Sequence, residues 1–192
     1  MNDSNEKNSK TLPEFQKYVL QNGIQMNFKK GESVFRQGDP HQYVYIIRKG
    51  ILKGIYITDD GHEYIKTIIK ENDFIGSLAA LMGDVCSFSL ICLEKVEAVA
   101  LEFADVEKDL QNNHELSLAM ISALKTLALK KEMREYEFLC LSAENRYRLM
   151  LKRSPEIINR LTQNDVALYL GITPVALSRI RSRIQKSETN RD

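Results

Sequence analysis

Residues 161–184 hold the side chains with the clearest chemistry in this sequence, LTQNDVALYLGITPVALSRIRSRI. Val175, Ser178 and Arg179 recur there at the spacing of one helix face. A guanidinium that projects from such a small, polar face can donate two hydrogen bonds to one base edge, as to O6 and N7 of guanine. The segment therefore predicts recognition of a hydrogen-bonding surface such as the major groove of DNA.

Two short helices joined by a tight turn are predicted to position these side chains. Thr162 can cap the first helix, and Asp165 stands three residues on, where a carboxylate can bond back to the cap. Gly171 is expected to end this helix with a left-handed residue. Thr173 and Pro174 then start the second helix as N-cap and first helical position.

The second helix, predicted over residues 174–184, has two contrasting faces. Leu177, Ile180 and Ile184 recur at i, i+3 and i+7 and form its buried side. The opposite side is small and polar around one long cation, which is typical of a helix that enters the major groove. A surface helical hairpin with ordinary exposed arginines is the alternative explanation of this pattern.

Charge separates the C-terminal part of the chain from the rest. The chain carries a net charge of +1, yet residues 142–192 hold ten Lys and Arg against five Asp and Glu, a net charge of +5. Residues 1–141 therefore have a net charge of −4. A basic module on an acidic body indicates a polyanionic partner for one end of the molecule.

The N-terminal half has the pattern of a small antiparallel roll. Short runs rich in β-branched and aromatic residues alternate with Gly, Asp and Pro turns. Such a roll is concave and can hold a small molecule. The predicted strands are residues 34–35, 43–47, 51–57, 64–69, 88–93 and 96–103.

Residues 106–141 contain neither Gly nor Pro and predict one long helix. An apolar seam runs along it and changes phase near its middle. Such a seam packs either on its own domain or on a copy of itself, and the sequence leaves both options open. The seam residues are Leu116, Met120, Ala123 and Leu127, then Leu129, Met133, Tyr136 and Cys140.

Composition excludes several classes of protein. The longest uncharged run, residues 166–178, is too short to span a bilayer, and no signal peptide is apparent at the start, so we expect a cytoplasmic chain without membrane contact. Three cysteines in such a chain are expected to be reduced thiols. No nucleophile–base pair, phosphate loop or metal-ligand spacing stands out, and we do not expect an enzyme.

The sequence as a whole resembles the CRP/FNR family of bacterial transcription regulators. The resemblance covers the chain from about Phe28 onward and depends on the order and spacing of short motifs. They are Lys30-Gly31-Glu32, Gln37-Gly38-Asp39, Tyr45-Ile46-Ile47 with Lys49-Gly50, Gly61, Asp73-Phe74-Ile75-Gly76, Leu161-Thr162-Gln163, Asp165, Ala167, Leu170-Gly171, Thr173 and Leu177-Ser178-Arg179.

The resemblance implies an α+β fold in three parts. Residues 1–104 would form a cyclic-nucleotide-binding-like β-roll (a jelly roll), residues 105–141 a long dimerisation helix, and residues 142–192 a helix–turn–helix domain. The implied partners are a second copy of the chain, double-stranded DNA with a palindromic or near-palindromic site, and RNA polymerase.

Family positions can be transferred to the DNA-binding segment residue by residue. Ser178 and Arg179 match positions that touch base edges, whereas Val175 stands where many members carry Glu, so the usual half-site is not assumed. Thr162 and Gln163 are expected to hold phosphate. The full predicted set is Thr162, Gln163, Thr173, Pro174, Val175, Ser178, Arg179, Arg181 and Arg183.

The effector pocket departs from the family pattern. Ser77 replaces the Glu that bonds the ribose, Cys86 replaces the Arg that pairs with the cyclic phosphate, and residues 72–92 contain no Lys or Arg. We therefore expect no binding of cyclic AMP or cyclic GMP; a neutral or apolar ligand, or none, fits better. The predicted lining is Gly76, Ser77, Leu78, Ala79, Cys86 and Ser87.

No cofactor is predicted, and the sequence does not identify the effector. Three widely spaced cysteines make a poor iron–sulfur ligand set. Haem ligation by His41, His62 or His114 stays open as an alternative. Cys86 is expected to be a structural thiol, because no cation stands near it in sequence.

The sequence thus predicts a dimeric, DNA-binding transcription regulator. One alternative is a cyclic-nucleotide receptor with an unconventional pocket. Another is a ligand-binding module that signals through protein contacts.

Overall fold

The computed structural model describes residues 12–189, with side chains described up to residue 186. Residues 1–11 and 190–192 lie outside the described residues. The strands are β1 Ile24–Phe28, β2 Ser33–Phe35, β3 Tyr43–Lys49, β4 Leu52–Ile57, β5 Glu63–Ile69, β6 Phe74–Ile75, β7 Ser89–Cys92 and β8 Val96–Glu102. The helices are α1 Glu14–Asn22, α2 Leu78–Leu81, α3 Phe103–Asn112, α4 His114–Cys140, α5 Ala143–Arg153, α6 Pro155–Ile158, α7 Gln163–Leu170 and α8 Pro174–Thr189.

The predicted antiparallel roll is confirmed. Its two four-stranded sheets have the orders β1-β8-β3-β6 and β2-β7-β4-β5, and every pair is antiparallel. Buried residues of both sheets form one core, in which Phe35, Phe88, Leu52 and Leu90 are members. Burial of apolar surface between the sheets holds the roll closed. The sequence did not predict β1 or β6.

A second core joins the roll to the helices around it. Phe15 and Val19 of α1 are fully buried against Val44 and Ile46 of β3, and α4 covers the same cluster through Leu116. The sequence does not predict this helix, because α1 has only one short apolar row and its N-cap, Pro13, makes no capping side-chain hydrogen bond.

The single helix predicted over residues 106–141 is wrong at its start. The helix is interrupted at Asn113, which has extended φ and ψ. The Asn113 side chain accepts a hydrogen bond from the Leu116 backbone N–H at 3.0 Å. Asn113 therefore caps α4 without any Gly or Pro in the sequence. Val106 of α3 is buried in the second core.

The two halves of the α4 seam lie on different faces. Leu116 and Met120 are buried against the roll. Leu129, Met133 and Tyr136, which resume the pattern, are exposed on the opposite face. Packing on the roll thus accounts for the first half of the seam only.

The C-terminal helices enclose a third core. Its centre is formed by Val166 and Leu170 of α7, Leu177 of α8, and Tyr147 of α5. Within residues 12–189, no helix is both long enough and apolar enough to cross a membrane.

Candidate nucleic-acid interface and effector cavity

The first helix of the predicted pair begins and ends as expected. The Thr162 hydroxyl accepts a hydrogen bond from the Asp165 N–H at 3.1 Å and donates to Asp165 Oδ2 at 2.6 Å. Gly171 ends α7 in the left-handed region, with φ 67°. A Cβ on Gly171 would lie 2.8 Å from the Phe138 ring, so a side chain here would have to displace that ring in addition to adopting the left-handed backbone.

The second helix starts as predicted but is longer. Thr173 Oγ1 accepts a hydrogen bond from the Ala176 N–H at 3.2 Å, and Pro174 is the first helical residue. The helix continues to Thr189 instead of ending near Ile184. Leu177 and Ile180 are buried in the domain, which confirms the predicted inner face.

The outer face of α8 brings the predicted base-reading residues together. Val175, Ser178 and Arg179 are all exposed, and the helical spacing places Ser182 and Lys186 beside them. Among the described residues, no side-chain hydrogen bond or ion pair engages the Arg179 guanidinium. Arg179 is therefore directed to solvent with its donors available.

The two following arginines have partners within the domain. Arg181 donates from Nε to the Tyr147 hydroxyl at 3.0 Å, and Arg183 pairs with Glu144 at 2.9 Å. Arg181 is half-buried, whereas Arg183 stays exposed. The predicted DNA set is thus divided between side chains that are free and side chains that brace α8 on α5.

The predicted phosphate-binding end of α7 lies close to the roll. Thr162 and Gln163 are exposed, but Asp165 is buried and pairs with Lys53 of β4 at 2.9 Å. Burial raises the pKa of Asp165, but hydrogen bonds from Thr162 and Lys53 outweigh it and hold the pKa below its usual value. Asp165 therefore serves as a cap partner and as an anchor between domains.

Two further ion-pair groups join the C-terminal domain to the roll. Arg160 contacts both Glu71 (at 2.8 Å) and Glu94, while Lys70 pairs with Glu156 at 3.0 Å. The hydrogen bonds from Arg160 are the main reason why the pKa of Glu71 falls to about 2.

An arginine–aromatic junction joins all three parts of the molecule. Arg134 of α4 donates to the backbone oxygens of Ile65 in β5, at 2.8 Å, and Tyr169 in α7, at 3.1 Å. Its guanidinium lies 4.0 Å from the Tyr169 ring centroid, and Arg146 lies over the neighbouring Phe138 ring at 4.7 Å. Cation–π contacts and hydrogen bonds thus fix α7 relative to both α4 and the roll.

A cavity of about 820 Å³ lies at this junction. β5 forms one wall, α4 the second, and α5 and α7 the third. Of the six predicted pocket residues, Gly76, Leu78 and Ser87 line it.

The other three predicted pocket residues lie elsewhere. Ser77 and Cys86 are buried in the roll, where the Ser77 hydroxyl accepts a hydrogen bond from the Ser87 N–H at 3.3 Å. Ala79 is half-buried on α2. Burial raises the pKa of the Cys86 thiol, in keeping with a structural role.

The cavity contains cations that the sequence did not predict there. No cation comes from residues 72–92, but Lys66 of β5 and Lys131 of α4 line the cavity. Both lie outside the segment that the family pattern singles out. The only available sequence signal is Lys66 itself, a basic residue amid the apolar run of β5.

The three histidines have separate surroundings. His41 is half-buried, and its Nε2 lies 2.9 Å from the Tyr45 hydroxyl. His62 pairs with Asp60 at the surface, and His114 is exposed at the start of α4. Within residues 12–189, no cluster of three or more His, Cys, Asp or Glu could hold a metal ion.

Comparisons with known proteins agree with this architecture. A family model described as "Cyclic nucleotide-binding domain" matches residues 25–113. The fumarate and nitrate reduction regulatory protein of Salmonella typhi is 30% identical over 194 residues, which cover 92% of this chain and 76% of that protein. The chain belongs to the CRP/FNR family of transcription regulators.

Other similar proteins match less of the sequence or only the fold. The global nitrogen regulator of Nostoc sp. is 30% identical over 108 residues, which cover 55% of this chain and 48% of that protein, so this match spans about half of that relative. The structure of FixK2 from Bradyrhizobium japonicum superposes with a TM-score of 0.75 over 86% of both chains, at 15% identity.

Proposed function

We propose that this chain is a homodimeric, sequence-specific DNA-binding regulator that reads base edges with α8. The observation that carries the proposal is the exposed, unengaged guanidinium of Arg179 on the outer face of α8. Double-stranded DNA and a second copy of the chain are the proposed partners, and RNA polymerase is proposed as the protein that such a regulator contacts. The proposed site of action is the cytoplasm.

The chemistry of α8 supports DNA as the partner. Ser178 and Arg179 supply hydrogen-bond donors, and Val175 supplies a methyl surface that can contact thymine. The buried face of α8 is packed on α7 and α5, so the outer face is held as a rigid unit. A rigid helix of this kind fits the width of the major groove.

The exposed face of α4 supports pairing of two chains. Leu118, Ile121, Leu129, Tyr136 and Leu139 lie within about a third of the helix circumference, and Leu139 is 77% exposed. Burial of such a stripe against its copy would remove this apolar surface from water. Lys125 and Glu132 interrupt the stripe, and polar residues at such positions favour one register at some cost in stability.

Pairing along α4 would also provide two reading helices. Helix–turn–helix dimers bind half-sites one DNA turn apart, about 34 Å. The contacts of α7 with the roll couple the position of α8 to the roll. A change at the cavity between the roll, α4 and α7 would therefore alter the distance between the two reading helices.

Selection of bound DNA from a random pool tests the reading helix. The wild-type chain is compared with Arg179→Ala and with Arg36→Ala, which removes an exposed arginine of the roll. We expect Arg179→Ala to lose about 1–3 kcal/mol of preference at one base position in each half-site. Arg36→Ala should retain the full preference.

Two results would contradict this proposal. Equal weakening on all sequences by Arg179→Ala would mean that this residue contacts phosphate only. Failure of the wild-type chain to bind DNA even at low salt would favour the alternative in which the C-terminal domain is a docking surface for protein.

Oxidative cross-linking tests the pairing of α4. Cys140 is exposed at the end of this helix, whereas Cys86 and Cys92 are buried. Parallel pairing brings the two Cys140 thiols together, while antiparallel pairing separates them by nearly the helix length, about 40 Å. We expect a disulfide-linked dimer that Cys140→Ser abolishes; a monomer in sedimentation, without the cross-link, would refute the dimer.

A further inference from the structure

The cavity at the three-way junction has an unbalanced charge. Its volume of about 820 Å³ suits a small molecule. Aromatic and aliphatic side chains form much of the wall, yet seven basic side chains face only two acidic ones. An excess of cations in an apolar enclosure is unfavourable unless anions are supplied from elsewhere.

Most of these cations already have partners. Lys130 pairs with Asp73 at 3.1 Å, Lys70 with Glu156 at 3.0 Å, and Arg153 with Glu137. Two more cations use backbone oxygens. Arg134 donates to Ile65 and Tyr169, and Arg146 donates to Leu141 at 2.7 Å and Leu170 at 2.9 Å.

Lys66 and Lys131 are the two remaining basic side chains of the cavity. Among the described side chains, residues 12–186, neither ammonium has an acidic partner within ion-pair distance. Lys66 Nζ lies 3.9 Å from the centroid of the Phe88 ring and 5.3 Å from that of Tyr56. The Lys66 ammonium therefore contacts two aromatic rings at the cavity wall and has no counter-ion among the described residues.

The pKa of Lys66 reflects the lack of a counter-ion. Burial, with a further contribution from Lys131, lowers the pKa of Lys66 to about 8. A bound anion between the two ammonium groups would raise this pKa again, because it would attract both and offset their mutual repulsion. The aromatic rings beside Lys66 would contact an apolar body attached to that anion.

We propose that this cavity binds a small amphipathic anion, with one carboxylate, sulfonate or phosphate group on an aromatic or aliphatic body. Lys66 and Lys131 receive the anionic group, and Phe88 and Leu127 contact the body. The inference rests on the proposed function, in which a change at this cavity alters the distance between the two reading helices, and it specifies the chemistry of the ligand that would cause such a change. It replaces the neutral ligand that the sequence favoured, because the cations come from β5 and α4.

A matched pair of fluorescent probes tests the charge requirement. 8-Anilinonaphthalene-1-sulfonate carries a sulfonate, whereas N-phenyl-1-naphthylamine has the same ring system without the charge. Both are titrated into the wild-type chain and into Lys66→Met, Lys131→Met and Lys108→Met. Lys108 is an exposed residue of α3 and serves as the control.

We expect Lys66→Met and Lys131→Met to weaken the sulfonate probe ten- to a hundredfold, the effect of losing one charge-assisted hydrogen bond. Their affinity for the uncharged probe should stay within about twofold of wild type, and Lys108→Met should change neither probe.

Unchanged sulfonate binding in both cavity variants would overturn the inference. Equal loss of both probes would also overturn it, because that result would assign the lysines a role in cavity shape instead of anion recognition. Lys131 is exposed, so its variant is expected to fold even if Lys66→Met does not. The titrations contain no DNA, so their failure is distinct from failure of the DNA-binding proposal.

Discussion

The ammonium of Lys53 in β4 donates to Oδ1 of Asp165 in α7 at 2.9 Å, and both side chains are largely buried. The pair joins the roll to the first helix of the helix–turn–helix. Because Asp165 also bonds the N-cap Thr162, one carboxylate fixes the start of α7 and its position on the roll. The position of the reading helix α8 therefore depends on a contact between two residues that lie 112 positions apart in the sequence.

Lys53→Met is expected to destabilise the docked arrangement. Removal of one partner leaves a buried carboxylate without its counter-charge, which typically costs 3–5 kcal/mol. Thr162 continues to bond Asp165, so we expect a loss near the low end, about 3 kcal/mol, in urea unfolding followed by circular dichroism.

The exposed pair of Lys17 with Glu14 provides the control for this measurement. Lys17→Met should change the free energy of unfolding by less than about 1 kcal/mol. Equal effects of the two substitutions would show that the pair between the roll and α7 is no stronger than a surface pair.

Gly171→Ala is expected to act through both backbone and packing. The left-handed backbone costs a non-glycine residue about 1–2 kcal/mol, and the new methyl group would overlap the Phe138 ring. In a Phe138→Leu background the second contribution should shrink, so that the two substitutions are not additive in thermal unfolding. Additive effects would mean that Phe138 moves away freely and that only the backbone matters.

Local signals explain why the sequence predicted the helix–turn–helix. Thr162, Gly171 and Thr173 act within three or four residues of themselves, and each adopts the role that its chemistry favours. The roll followed from alternating strands and turns in the same way. Family resemblance then added the order of the parts, which local pattern alone leaves open.

Long-range contacts explain what the sequence could not predict. Lys53 and Asp165 meet only after both domains have formed, and Lys66 reaches a cavity whose other walls come from α4 and α7. The break at Asn113 was missed for a different reason. Asparagine is compatible with a helix interior and with an N-cap, and only the backbone of the folded chain distinguishes these two.

The contact between Arg160 and Glu71 predicts a pH dependence of stability. The pKa of Glu71 is lowered from 4.5 to about 2, mainly by Arg160, so the carboxylate stabilises the fold above pH 4.5. This stabilisation is lost as the pH falls from about 4.5 to about 2. In Glu71→Gln, the decrease in free energy of unfolding between pH 5 and pH 2.5 should be smaller by roughly 1 kcal/mol, since the pair is partly exposed.

Glu14→Gln is the control for this titration, because Glu14 is exposed and its one ion pair among the described residues is with its helix neighbour Lys17. Its unfolding curve should follow the wild type at each pH. If Glu71→Gln also follows the wild type, then Arg160 and Glu71 do not remain paired in solution.

Val175 offers a test of how α8 meets the bases. It is 62% exposed and stands one helical turn before Arg179. A carboxylate there can accept a hydrogen bond from N4 of cytosine, whereas an amide can bond N6 and N7 of adenine. In selection from a random DNA pool, Val175→Glu should therefore gain preference for cytosine, and Val175→Gln should gain preference for adenine at the same position, each by about 1–3 kcal/mol. If both variants merely bind all sequences more weakly, the face that carries Val175 does not contact base edges, and Arg179 must approach the duplex from another direction.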